Sequence, residues 1–90
     1  MNGARGEVSV VLAGEPRRLC LTLGALAEME TALGVAGAAM GERLGRLSAS
    51  DLAVVLAALL RGGGEDAAVA EKAGPAEAAE AVAAAFEAAA

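Results

Sequence analysis

The sequence predicts an α+β fold: an N-terminal β-hairpin packed on a small bundle of three to five short helices. Two patterns and their punctuation carry that prediction. Up to Leu23, apolar and polar residues alternate with period two, the mark of half-buried strands. Beyond it, apolar residues recur at spacings of three and four, the mark of amphipathic helices. Glycine and proline then interrupt the helical part at Gly34, Gly62 to Gly64 and Gly74-Pro75, so no helix runs long.

Residues 1–5 read as a flexible arm. Glu7 to Leu12 sets Val8, Val10 and Leu12 on one side of a strand and Glu7, Ser9 and Val11 on the other. Ala13-Gly14-Glu15-Pro16 reads as the turn, because Pro16 cannot donate to a strand ladder. Arg17 to Leu23 alternates again, with Leu19, Leu21 and Leu23 inward and Arg18, Cys20 and Thr22 outward. A hairpin alone is marginal in water, so this one must lie on helices.

Thr22 is placed to cap a helix running to about Leu33, where Gly34 ends it. Leu26, Met29 and Leu33 form its buried stripe, with Ala25 and Ala32 near the edge and Glu28 pointing away. A second, weaker helix is expected from Val35 to about Arg46, with Val35, Met40, Leu44 and Leu47 apolar. It carries Gly37, Gly41 and Gly45 at every fourth position. Each interior glycine costs a helix about 1 kcal/mol relative to alanine. Glu42 and Arg43 interrupt the glycine row, so the segment reads as soft rather than as a flat ridge for another backbone.

The centre of the fold is Leu47 to Gly64. Ser48 and Asp51 make a capping box, and Leu47 and Leu52 stand where a hydrophobic staple forms. Leu52, Val55, Leu56, Leu59 and Leu60 share one broad face, the expected middle of the core. Arg61 suits the negative end of the helix dipole, and Gly62 to Gly64 stop the helix. Residues 6–64 thus form a core domain of hairpin and helices, and residues 65–90 an acidic, alanine-rich helical segment of the same domain. In that segment Glu65 to Ala73 is a short helical stretch. Pro75 opens a final helix to about Ala88, with Glu77 in its first turn. Only Val82 and Phe86 are sizeable apolar residues there, four apart on one face, and alanine gives helix propensity with little packing energy. The last helix either docks through Phe86 or frays until a partner arrives.

Composition narrows the function classes. Ninety residues make one domain near the low end for a self-sufficient core. Hydrophobic residues are 57% of the chain, but many are alanine, and Phe86 is the only aromatic. Net stability of a few kcal/mol follows from so thin a core. The net charge of −5 resides entirely in residues 62–90, where Glu65, Asp66, Glu71, Glu77, Glu80 and Glu87 face Lys72 alone. An acidic domain without clustered bases or an aromatic platform is a poor partner for nucleic acid. The acidic third reads as a solvated helix face, with a docking surface for a basic partner as the alternative. Cys20 is the only cysteine, which rules out an internal disulfide and a thiol cluster for zinc and fits a reducing compartment. The sequence lacks a secretory signal pattern and an apolar run long enough to span a membrane, so a cytoplasmic location without membrane partners is expected.

The inventory of reactive groups points away from catalysis. Histidine is absent from the sequence, and Cys20 therefore lacks the usual activating base. Ser48 and Ser50 are accounted for by capping. Glu28 and Glu30 lie two apart on a helix and do not share a face. Glu77 and Glu80 share a face in a segment that reads as exposed. Gly62 to Gly64 lack the Lys-Ser/Thr that completes a phosphate loop, and Arg17 and Arg18 point to opposite faces of a strand. The expectation is a non-enzyme with no catalytic, metal-binding or cofactor-binding residues.

Two stretches resemble a known family: RGEVSVVLAGEPRRLCLTLGALAEMETALG, Arg5 to Gly34, and LSASDLAVVLAALLRGGG, Leu47 to Gly64. They are similar to the tail assembly chaperones of gene transfer agents and related phages, whose members have also been described as tail tube proteins. The likeness rests on Arg5-Gly6-Glu7-Val8, on Gly24-Ala25-Leu26-Ala27 with Glu30 following, and on Leu33-Gly34. It is completed by the Ser-x-x-Asp-Leu helix ending in Leu60-Arg61-Gly62. The resemblance implies a non-enzymatic morphogenesis factor of a gene transfer agent or prophage. Such a factor binds the tape measure protein, keeps its apolar helices soluble and yields to tail tube subunits. Helix-in-groove binding is the expected physical mode. The expected groove lies between the first helix (Leu26, Met29, Leu33) and the central helix (Leu56), with Met40 as an adaptable contact and Phe86 on the last helix. The competing reading of these residues is plain core. A tail tube or adaptor subunit retained in the particle and a small regulatory binding module are the rival functions. Whether the chain forms a homo-oligomer stays open.

Overall fold

The computed structural model describes residues 7–90. The arm expected over residues 1–5 lies outside them. Strands β1 (Glu7–Leu12) and β2 (Glu15–Cys20) pair antiparallel, Leu12 opposite Glu15 and Glu7 opposite Cys20. The turn is Ala13-Gly14 alone, with φ of +52° and +84°. Both central residues are left-handed, which is the turn whose twist matches that of the strands. The turn was expected to run through Pro16, but Pro16 lies inside β2, opposite Val11. The closing pair of a two-residue hairpin exchanges hydrogen bonds and the next pair does not. The missing N–H of Pro16 therefore falls on the outer edge, where it costs no ladder bond.

β2 ends at Cys20, before the Leu23 expected from alternation. The Thr22 hydroxyl accepts from the Ala25 amide at 3.0 Å and starts helix α1 (Leu23–Leu33). Leu23, expected inward on a strand, instead opens that helix and is 83% exposed. Gly34 closes α1 as expected, its N–H donating to the Glu30 carbonyl. Ala25 and Met29 are the buried residues of α1, while Leu26 and Leu33 are half-buried. The stripe is thus turned so that Ala25 is central and Ala32 exposed. The second helix is shorter than expected: α2 spans only Ala39–Leu44. Gly37, at φ +58°, breaks the chain before it, in keeping with a soft segment. Nothing beyond its own helix lies within 4 Å of where a Gly41 Cβ would stand, and a Gly45 Cβ would meet only the Glu42 carbonyl of its own turn, so no second backbone packs on these glycines.

Helix α3 (Ala49–Gly62) is the hub. The Ser48 hydroxyl accepts from the Asp51 amide at 3.1 Å, and the Asp51 carboxylate accepts from the Ser48 amide at 3.2 Å. Val55, Leu56, Ala58, Leu59 and Leu60 are buried along it. α3 touches α1, β2, a 3-10 helix (Ala67–Lys72) and the last helix α4 (Pro75–Ala89). Asp66 caps the 3-10 turn by accepting from the Ala68 amide at 2.9 Å, and Val69 and Ala70 are buried beneath it. Pro75 stands at the start of α4, where the Gly74 amide donates to Glu77 at 3.2 Å.

α4 is docked on α3 and β1, and Phe86 packs against the core at its edge rather than at the centre of the contact. Its buried residues are Ala78, Ala81, Val82 and Ala85, while Phe86 is only partly covered. Alanine lets the helix approach closely, so contact comes from the backbone and methyl groups rather than from one large anchor.

The exit of α3 runs tight against β2. A Cβ added at Gly62 would collide with the Cys20 carbonyl oxygen, and one at Gly63 would lie 2.6 Å from the Arg18 carbonyl carbon. The Arg18 amide donates to the Glu65 carboxylate at 2.9 Å. The triple glycine therefore does more than stop a helix: it seats the helix end against the outer edge of the sheet.

Candidate functional site

The structure gathers five of the six residues expected to form a partner groove into or against the core. Met29 and Leu56 are fully enclosed and Met40 is buried. Leu26 and Leu33 pack half-buried against the same core. Together they fill the space between α1 and α3 where a groove was expected. The hollow at that seam is instead lined by Gly24, Ala27, Glu28, Thr31, Val54 and Arg61, none of them anticipated. Arg61 closes its rim by binding Glu28 at 2.8 Å, so Glu28 points outward as expected yet carries a partner. Arg17 and Arg18 diverge as predicted: Arg17 is mostly covered, 3.8 Å from Glu15, and Arg18 stands outside, 3.8 Å from Glu7.

Phe86 is the exception. It lines an open apolar cleft of about 450 Å³, formed by Leu44, Leu47 and Leu52 on one side and Ala79, Val82 and Ala83 of α4 on the other. Two local devices build the first wall. Leu47 and Leu52 are the staple residues flanking the capping box, both partly buried. Arg43 then clasps the end of α2 to the start of α3, donating to the Asp51 carboxylate at 2.6 Å and to the Arg46 carbonyl at 2.6 Å. The Arg43 hydrogen bond and then the Ser48 amide hold the Asp51 carboxyl below its ordinary pKa. The second wall is the one face of α4 that carries Phe86. Sequence reasoning placed Leu47 and Leu52 as a staple and Phe86 as an anchor, but nothing local signals that these residues meet across the fold.

Chemically, the cleft can accept apolar side chains. Among the described residues there is no group of His, Cys, Asp and Glu able to hold a metal ion. Cys20 is a free, partly buried thiol. No helix of the described residues is long and apolar enough to cross a membrane.

A two-stranded hairpin on a helical hub, with an apolar cleft between its later helices, defines a small α+β module. A family model described as phage tail tube protein, GTA-gp10, matches residues 5–90, and the chain belongs to that family. It is a tail-related protein of the phage and gene transfer agent type. No curated protein and no solved structure matches the chain.

Proposed function

We propose that this chain is a non-enzymatic tail assembly chaperone that holds a helical segment of the tape measure protein in the Phe86 cleft until tail tube subunits replace it. The observation that carries the reading is the cleft itself. Leu44, Leu47, Leu52, Val82 and Phe86 face an open channel on an otherwise small, acidic domain. Such a channel suits the apolar face of an amphipathic helix, read at spacings of three and four. The role places the chain in the bacterial cytoplasm during assembly.

The test is co-expression with the tape measure protein of the same gene cluster, followed by size-exclusion chromatography. The expected result is a soluble complex, with the tape measure insoluble when expressed alone. Ala83→Arg blocks the cleft at an exposed helical position, where substitutions shift stability by only about 0.5 kcal/mol. It should abolish the complex while leaving the circular dichroism spectrum unchanged. A complex that survives Ala83→Arg overturns the cleft assignment.

A second reading, a tube subunit retained in the particle, is favoured by the family's own description. Its mark is recovery of the chain in many copies from purified tails. The two strands of the hairpin supply little sheet for a tube wall, which is why the chaperone reading comes first.

A further inference from the structure

The hairpin has two outer edges, and the fold treats them differently. On β2 the edge is closed. Gly62 and Gly63 press against the Cys20 and Arg18 carbonyls, Glu65 takes the Arg18 amide, and Pro16 offers no amide at all. On β1 the register turns the backbone groups of Glu7, Ser9 and Val11 outward, because these residues are opposite non-bonded partners. Among the described residues nothing donates to the Ser9 and Val11 carbonyls or accepts from their amides. The strand carries no lysine, proline or bulge, the usual guards of an exposed edge. Val11 is 61% exposed.

Beside this edge runs a groove of about 400 Å³, lined by Val10, Val11, Ala81 and Ala84 and rimmed by Glu77 and Glu80. At 100° per residue, these α4 positions lie on the flank opposite Ala79, Ala83 and Phe86, so the groove is separate from the cleft. Its floor is small and apolar, and its rim is negative. We propose that the β1 edge is a strand-docking site for an extended segment of another protein, in which small apolar residues alternate with lysine or arginine. Backbone pairing with Ser9 and Val11 supplies the affinity, and Glu77 and Glu80 select the basic residues. A second copy of this chain fits less well: its own β1 brings Glu7 and no base, and would set two acidic rims face to face. The inference is independent of the tape measure reading, since it concerns another surface.

The probe is a blocked peptide, Thr-Val-Lys-Val-Lys-Val-Thr, titrated into the full chain labelled with ¹⁵N. Chemical-shift changes should be confined to β1 and α4, and exchange of the Ser9 and Val11 amides should slow by about tenfold or more. The same peptide with every backbone amide N-methylated should give neither effect. A version with glutamate for lysine should bind more weakly, and Glu80→Lys, at an exposed site, should reverse that preference. Equal binding by the N-methylated peptide, shift changes centred elsewhere, or an unchanged preference in Glu80→Lys would each overturn the proposal. So would protection of Ser9 and Val11 that rises with the concentration of the chain alone, which marks pairing between two copies.

Discussion

Gly62→Ala sets two effects of opposite sign against each other. Gly62 is the last residue of α3, and alanine there gains up to about 1 kcal/mol of helix propensity. The same Cβ runs into the Cys20 carbonyl oxygen and stands 3.3 Å from the Thr22 hydroxyl. To restore ordinary carbon–oxygen contact, β2 must retreat by about 1 Å. That retreat strains the Arg18–Glu65 hydrogen bond and loosens Leu19, which is fully buried. Overpacking costs about 1–3 kcal/mol, and the obstacle here is backbone, which takes the upper end. The net expectation is a loss of about 1–2 kcal/mol. For a chain of this size that lowers the midpoint by about 5–15 °C. Gly41→Ala is the matched control: it lies inside α2 with open space around it, so propensity acts alone and the midpoint should rise. Thermal unfolding followed at 222 nm reads both. A Gly62→Ala variant as stabilised as Gly41→Ala would refute the seating of α3 against the sheet.

Three further expectations follow from the same packing. Leu56→Ala, at a fully enclosed site, should cost about 2–5 kcal/mol by urea denaturation, enough to unfold most of so thinly packed a domain; loss of partner binding with stability intact would place Leu56 at an interface instead. Asp51 has its folded pKa lowered, so its stabilisation is complete above the ordinary carboxylate range and is lost as pH falls through the lowered value; Asp51→Asn should flatten the acid limb of stability below about pH 4 and leave its slope near pH 7 unchanged. Glu28→Gln removes an exposed ion pair with Arg61 and should change stability by less than about 1 kcal/mol, as read by chemical denaturation.

The features legible in the sequence were those fixed within a few residues. Thr22, Gly34, the Ser48–Asp51 box and Pro75 act on backbone groups of their own turn, and all stand where local chemistry puts them. Pro16 is not placed by local chemistry, because strand register decides whether its absent N–H faces the ladder or solvent. Leu23 follows the strand alternation but lies past the point where Thr22 begins a helix. The docking of α4 shows in the sequence only at Val82 and Phe86, because Ala78, Ala81 and Ala85 contribute by close approach rather than by large side chains. The surface was harder still. Apolar character marks Met29 and Leu56 equally as core or as interface, and only the assembled fold separates them from Phe86. The close seating of Gly62 and Gly63 was likewise hidden, because the sequence shows a helix stop whether or not a strand lies against it.

The closure of β2 also fixes how far such a sheet can grow. An open two-stranded ribbon can add strands at both sides, and the second addition creates a new edge for the next chain, the route to fibres. Here one side is sealed by glycine contacts, a carboxylate and a proline. The ribbon has a valence of one. Whatever pairs with β1 ends up at a terminus on this chain's side, so edge pairing gives a complex of fixed stoichiometry rather than a polymer.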